Sequence, residues 1–257
     1  MNVLVIVCAR AGSKGVKGKN VRDFLRFPIG YYSLSAFDLY LGRHSAQYGD
    51  TLLAVNTDSK ELIKQFSRTA VEHIIIPRKT SLAGDRVSKI DVVRDTLNEA
   101  EAAAGKVFDI VVDLDLTSPL RKVIDIKNIL DTLLGSPGAD IALSLTESRR
   151  NPYFNQLVRG TSGFLTTAIQ SNFIARQQAP EVYDANASLY AYRPHYLKND
   201  SGIFLDAKLV GSMMEDTGIL DIDSERDFRL MEIIARYLYE TDPSYGEVRE
   251  HIERITR

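Results

Sequence analysis

Short apolar runs recur along the first half of the chain, and each is followed by a stretch in which apolar positions return every three or four residues. Val3-Leu4-Val5-Ile6-Val7-Cys8 reads as a buried strand and residues 29–41 as the helix after it. Leu52-Leu53-Ala54-Val55-Asn56-Thr57 reads as a strand, with Thr57 or Asp58 placed to cap a helix through residue 69. His73-Ile74-Ile75-Ile76-Pro77 is a short strand stopped by proline, and Ser88 to Ala104 a long helix. Phe108 to Asp115 is the next strand, residues 122–134 another helix, and Ala139 to Leu145 a further strand. Near-continuous apolar strands separated by helices predict an α/β fold of Rossmann-like, three-layer type, its sheet mostly parallel and covered on both faces. Ligands in such sheets bind beyond the carboxyl ends of the strands.

The pattern then changes. Residues 148–184 are rich in Arg, Asn, Gln and aromatics and lose the strand–helix alternation, so they read as an excursion of hairpin-like or extended elements. Asn186 to Arg193 returns to strand character. Asp223 to Glu240 reads as a helix with Phe228, Met231, Ile234 and Leu238 on one stripe, and residues 244–257 as a short charged helix. There is no internal repeat and no low-complexity linker. A single domain spanning residues 1–257 is expected, with an inserted excursion at about 146–184.

Composition narrows the chemistry. A net charge of −2 gives no global attraction to nucleic acid or to an anionic membrane, so any phosphate binding must come from local cations. The first strand is too short to span a bilayer and no basic segment precedes it, which makes the cytoplasm the expected compartment. One cysteine, Cys8, excludes an intramolecular disulfide and reads as a small buried residue. The four histidines lack zinc-ligand spacing, and there is no Gly-x-Ser-x-Gly elbow.

The first strand empties into a distinctive loop: Ala9-Arg10-Ala11-Gly12-Ser13-Lys14-Gly15-Val16-Lys17-Gly18-Lys19-Asn20. Glycines let main-chain N–H groups approach anionic oxygens, and Arg10, Lys14, Lys17 and Lys19 neutralise them, as a polyphosphate requires. The spacing is neither that of a Walker A loop nor that of a dinucleotide fingerprint. Three other segments carry candidate chemistry. Arg78, Asp85, Arg86, Ser88 and Asp91 crowd one loop, where Ser88 and Asp91 can cap the next helix and the others can reach a ligand. Asp113 and Asp115 share a face at the end of a strand, where carboxylates are costly unless paired, metal-bound or reached by water; Thr117 or Ser118 can cap the next helix. Asp221 and Asp223 also share a face before a helix. An N-cap at Asp223 accounts for one of them, whereas a Mg²⁺ site beside a polyphosphate loop accounts for both.

Taken together, these residues resemble the cytidylyltransferases that make CMP-activated acidic sugars, the CMP-sialic acid, CMP-legionaminic acid and related nonulosonate synthetases. The resemblance rests on Ala9 to Asn20, Leu82-Ala83-Gly84-Asp85, Thr117-Ser118-Pro119-Leu120-Arg121, Arg176-Gln177, Asn186-Ala187-Ser188-Leu189-Tyr190 and Asp221-Ile222-Asp223, in the family's order. It implies a nucleotidyltransferase domain in which the anomeric hydroxyl of an α-keto acid sugar attacks the α-phosphorus of CTP and pyrophosphate leaves. Arg10, Lys19 and Asp223 would be catalytic. Ala9, Arg10, Ala11, Gly12, Ser13, Lys14, Lys19, Asn20, Arg78, Gly84 and Asp85 would bind the nucleotide, and Asp221 and Asp223 would hold Mg²⁺. Asp115, Thr117, Ser118, Phe154, Arg176, Gln177 and Asn186 would face the acidic keto-sugar, and the 146–184 excursion would join two copies as a homodimer.

Two departures bear on the sugar. The sialic acid enzymes usually carry Gln where Asp115 stands, and often Lys where Phe154 stands. A carboxylate at 115 repels an anionic sugar unless it is engaged by hydroxyl or amide donors or by metal, and an aromatic at 154 suits a deoxy-sugar methyl group or a dimer contact. Both favour a less polar nonulosonate such as legionaminic acid. The alternatives are a KDO-type or other sugar nucleotidylyltransferase and a catalytically silent nucleotide-binding relative.

Overall fold

A computed structural model describes residues 1–12, 15–84, 87–199, 206–217 and 222–256. In chain order its elements are β1 (Asn2–Cys8), β2 (Asp23–Phe24), β3 (Phe27–Pro28), α1 (Ile29–Tyr48), β4 (Asp50–Thr57), α2 (Lys60–Phe66), β5 (Ile74–Pro77), α3 (Lys89–Ala104), β6 (Ile110–Leu114) and α4 (Val123–Leu134). After these come β7 (Ile141–Glu147), β8 (Leu157–Arg159), β9 (Leu165–Thr167), β10 (Tyr183–Tyr192), α5 (Pro194–Asn199), β11 (Leu209–Met213), α6 (Glu225–Thr241) and α7 (Pro243–Ile255).

Seven strands form one sheet in the order β11-β7-β10-β6-β1-β4-β5. All neighbours are parallel except β10, which runs antiparallel to both β6 and β7. Alternation explains the layers. Val3, Val5 and Val7 of β1 point to one face, where they pack with helices α1, α4, α6 and α7. Leu4 and Ile6 point to the other, against Ile90, Val93, Leu97 and Ala100 of α3 and Leu197 of α5. Each fully buried aliphatic side chain contributes about 1.5–3 kcal/mol, so the strand that launches the loop at residue 9 is among the most firmly anchored parts of the chain. The α/β expectation, with a mostly parallel sheet between helical layers, holds.

Several boundaries differ from the expected ones for identifiable reasons. Helix α1 continues past residue 41 to Tyr48 through a polar stretch with no apolar period, and stops at Gly49, whose φ of 96° is left-handed and whose N–H reaches the Ser45 carbonyl. Ser59, rather than Thr57 or Asp58, caps α2, its hydroxyl accepting from the Leu62 N–H at 3.2 Å. The cap of α4 is the Asp125 carboxylate, which accepts from the Lys122 N–H at 2.8 Å; neither Thr117 nor Ser118 serves. Strand β10 begins at Tyr183 and carries a bulge between Ala185 and Tyr190, where Ala187 is left-handed with φ 55°. Between β7 and β10 the chain leaves the sheet, with β8 and β9 paired as a small antiparallel hairpin.

Candidate active site

The carboxyl ends of β1, β5 and β6 open onto a cleft of about 330 Å³ lined by Arg10, Lys19, Asn20, Arg78, Gly84, Lys89, Asp115 and Thr117 among others. Three of the four segments singled out in the sequence therefore meet at one sheet edge. Ala9 is buried and ties the loop to β4, its N–H donating to the Asn56 carbonyl at 3.0 Å. Asp58 holds Ala11 by accepting from its N–H at 2.5 Å. Asn20 donates to the Arg10 carbonyl at 2.9 Å, closing the loop on itself, and Arg10 reaches the Ala83 carbonyl at 3.3 Å. Arg78 is aimed by Asn56, whose Oδ1 accepts from Nε at 2.8 Å. Ala11 and Gly12 line a small adjoining recess with Lys19 and Ser59. Ser13, Lys14, Asp85 and Asp221 lie outside the described residues.

The fourth segment arrives from the far end of the chain. Lys19 Nζ donates to the Ile222 carbonyl at 2.8 Å. A Cβ on Gly15 would sit 2.3 Å from the Asp223 carbonyl oxygen, so the loop touches this segment backbone to backbone, which only glycine allows. Asp223 is exposed and is not the cap of α6. Ser224 takes that place, its hydroxyl accepting from the Asp227 N–H at 3.2 Å while Asp227 Oδ2 accepts from the Ser224 N–H at 2.8 Å. The Asp223 side chain is thereby left out of the cap, on a residue whose main chain lies against the basic loop. Among the described residues no group of three or more His, Cys, Asp and Glu side chains is placed to hold a metal by itself.

The end of β6 holds an arrangement the sequence did not disclose. Lys89, the first residue of α3, reaches across the cleft to both strand-end carboxylates, 2.9 Å from Asp113 Oδ2 and 3.3 Å from Asp115 Oδ2, with its ammonium 4.9 Å from the centre of the Tyr190 ring. Asp113 is only 1% exposed, and apart from the Lys89 ammonium neither of its oxygens has a hydrogen-bond donor among the described residues. Asp115 is better served, because Oδ1 accepts from the Thr117 N–H at 2.8 Å and the Thr117 hydroxyl at 2.7 Å. Burial pushes the Asp113 carboxyl up, with Lys89 offsetting part of the effect. Burial acts the same way on Asp115, but Lys89 and Thr117 outweigh it and hold that carboxyl below its ordinary value. Burial works against the Lys89 charge, yet the two carboxylates carry its pKa well above normal. Beneath them the buried Arg121 donates to the carbonyls of Asp115 at 3.0 Å and Ser188 at 2.7 Å. Burial lowers its pKa to about 10.

Other expected residues fall elsewhere. Ser118 and Asn186 line a shallow recess beside the cleft with Glu215 and Thr217. Asn186 is buried at the β10 bulge, bonded to the Ser144 hydroxyl and accepting from the Ser188 N–H at 3.2 Å. Phe154, Arg176 and Gln177 sit on the segment between β7 and β10 and do not line the cleft. Burial and the nearby Asp113 push the Cys8 thiol up to about 12, which makes it an inert wall residue, as read from the sequence. In the sequence Ser88 and Asp91 satisfy a capping pattern around Lys89, which hides its role. In fact the Ser88 side chain makes no capping bond, and Asp91 pairs with Arg94 at 2.6 Å. The available signal was a lysine at the first position of a helix, where the macrodipole disfavours a cation unless it has acidic partners.

Comparison with known proteins identifies the family. A family model described as cytidylyltransferase matches residues 4–226. Post-translational flagellin modification protein B of Campylobacter coli is 33% identical over 235 residues, covering 91% of this chain and 95% of that protein. CMP-N,N'-diacetyllegionaminic acid synthase of Campylobacter jejuni is 34% identical over 234 residues, covering 90% and 94%. An N-acylneuraminate cytidylyltransferase of Streptococcus agalactiae is 24% identical, covering 89% of this chain and 52% of that protein. Among solved structures, CMP:2-keto-3-deoxy-manno-octonic acid synthetase complexed with CTP superposes with a TM-score of 0.65 at 16% identity, covering 93% of this chain and 100% of that one, a likeness of fold. The chain belongs to the cytidylyltransferase family and is a nucleotidyltransferase.

Proposed function

We propose that the enzyme transfers the cytidylyl group of CTP to an acidic nine-carbon keto-sugar of the legionaminic acid type, releasing pyrophosphate. The observation that carries this reading is the meeting of the basic loop with the Ile222–Asp223 segment, through Lys19 and Gly15, at the mouth of the cleft that ends at Asp115 and Thr117. The sugar class is supported by the Campylobacter jejuni relative and by the two departures from the sialic acid pattern, Asp115 and Phe154.

In this reading Arg10 and Lys19, with Ser13 and Lys14, bind the triphosphate and stabilise negative charge on the departing pyrophosphate. Asn20, Arg78, Gly84 and Asp85 place the cytidine. The anomeric oxygen forms a bond to the α-phosphorus as the bond to the pyrophosphate oxygen breaks, and the hydroxyl proton passes to water. The side chains act by orienting and neutralising rather than by covalent chemistry. Asp223, joined by Asp221, would hold Mg²⁺, which supplies Lewis acidity to phosphate oxygens. Thr117, Ser118 and Asn186 serve the sugar side, with Phe154, Arg176 and Gln177 reaching it from the excursion in a homodimer. The exposure of Ile174 (91%) and Phe164 (78%) on that excursion supports a second copy as its partner. Among the described residues no helix is long and apolar enough to cross a membrane, and a cytoplasmic reaction is in keeping with CTP as the substrate.

The test is a matrix of nucleotides and keto-sugars read by pyrophosphate release with and without Mg²⁺. CTP with a diacetamido-dideoxy nonulosonate should give the highest kcat/KM. Equal turnover of N-acetylneuraminate would overturn the sugar assignment, and release with GTP or UTP but not CTP would overturn the base. Light scattering on the purified chain should report a dimer, and a monomer would remove the role given to the excursion.

A further inference from the structure

The wall at the end of β6 poses a problem for the substrate just proposed. Two carboxylates, Asp113 and Asp115, stand where an anionic keto-sugar must approach, and Asp113 is buried with Lys89 as its ion-pair partner and no other donor among the described residues. Left alone, they would repel the substrate and would be costly to bury. Among the described residues the cation within ion-pair distance of both is Lys89, which comes from another element, α3, and is held over Tyr190. Its side chain is 40% accessible through the open cleft, so its charge is felt by whatever occupies that space. Neither carboxylate is free to act as a simple acceptor for sugar hydroxyls: Thr117 occupies one Asp115 oxygen, and Asp113 lies beneath the surface.

We propose that Lys89 is a positioning residue that sets the charge of the sugar-side wall, bridging Asp113 and Asp115 so that a surface built on two carboxylates admits an anionic keto-sugar. This rests on the proposed function, in which the substrate carries a carboxylate. Lys89 acts by cancelling repulsion and by fixing the Asp115–Thr117 turn that the substrate meets. It need not touch the reacting atoms. The arrangement also accounts for an acid at position 115, since the chain supplies the counter-charge from α3.

The experiment is a charge-balance cycle with CTP, Mg²⁺ and the keto-sugar that the wild-type enzyme turns over. Lys89→Gln should raise KM for the sugar roughly tenfold, the size expected for removing one unit charge several ångströms from a bound anion in a wet cleft. It should change KM for CTP less, and kcat little, because the interaction is equal in ground and transition states. Asp113→Asn should shift the sugar KM in the opposite direction or leave it unchanged. The double variant should return KM to near the wild-type value, because Asp113 is buried too deeply to contact substrate and can rescue only through charge. Lys89→Arg should retain a near-normal KM. Thermal melts accompany each variant. If Lys89→Gln fails to fold with Asp113 uncompensated, the Asp113→Asn and double variants still carry the test. An unchanged sugar KM in folded Lys89→Gln, or a raised KM that Asp113→Asn does not rescue, overturns the proposal. A wild-type enzyme inactive with every acidic keto-sugar would instead sink the functional reading, and the two failures are thus distinct.

Discussion

Replacing Gly15 with alanine isolates the contact that joins the two ends of the active site. The added Cβ would lie 2.3 Å from the Asp223 carbonyl oxygen and 3.2 Å from its carbonyl carbon, against a closest approach of 3.0 Å that real Cβ atoms respect. Both neighbours are backbone, so no flexible side chain can swing away. Gly15 has no left-handed φ, and alanine therefore brings no conformational strain of its own. The loop and the Ile222–Asp223 segment must separate by about 1 Å to restore ordinary contact. A misplacement of that size at a site run by positioning costs about 100-fold in rate. The core strand behind the loop is untouched, so the melting temperature should move by no more than about 2 °C. Pyrophosphate release at saturating substrates, with a Mg²⁺ titration, reads the effect: kcat should fall about 100-fold and the metal concentration for half-activation should rise. Gly42→Ala, an exposed helix position with open space around it, is the control and should be stabilising by about 0.5–1 kcal/mol with unchanged kcat. A Gly15→Ala enzyme within twofold of wild type would show that the Lys19–Asp223 neighbourhood does not depend on this contact.

Ser224→Ala removes the cap of α6 and should cost about 1 kcal/mol in urea unfolding while lowering kcat, because the same turn holds Asp223 beside the loop; full activity would detach the cap from the site. Ala187→Gly should stabilise the fold by up to about 1 kcal/mol, since it relieves a left-handed alanine in the β10 bulge, and a lowered melting temperature would refute strain there. The Asp115 carboxyl is held below its unfolded value of about 3.9, so its contribution to stability is present above that value and lost as pH falls through the depressed native pKa. Asp115→Asn should accordingly lose less stability than wild type between about pH 4 and pH 2 in chemical-denaturation series, and parallel acid limbs would exclude the effect.

The central strands were legible because β1 and β6 are buried on both faces, so that apolar runs such as Val3–Val7 stand out from their surroundings, whereas the edge strand β11 is mostly exposed, carries no such run and was not predicted. The direction of β10 was not, since an antiparallel strand buried between β6 and β7 carries the same apolar signature as a parallel one. Caps were misplaced by one or two residues at α2 and α6 because Thr, Asp and Ser are near-equivalent on energetic grounds, and tertiary contacts chose Ser59 and Ser224. The first choice had a chemical consequence: Asp58 became free to hold Ala11. The basic loop, Arg78, Gly84, Asp115 and Thr117 were legible as separate motifs, and the sheet brings them to one cleft. Lys89 was illegible because its role depends on a contact across 24 and 26 positions of chain to β6, which local helix-capping patterns do not encode.

Glu147, the last residue of β7, lies directly opposite Tyr183, the first of β10, so the segment between them leaves and re-enters the sheet at one paired rung. Its two ends are already neighbours, and closing a longer or shorter connection there changes the free energy by only about 0.6 kcal/mol per doubling of length. The sheet is thus indifferent to what the intervening chain contains. That stretch can be exchanged as a cassette, changing in length and content, while β6 and the cleft at its end stay as they are.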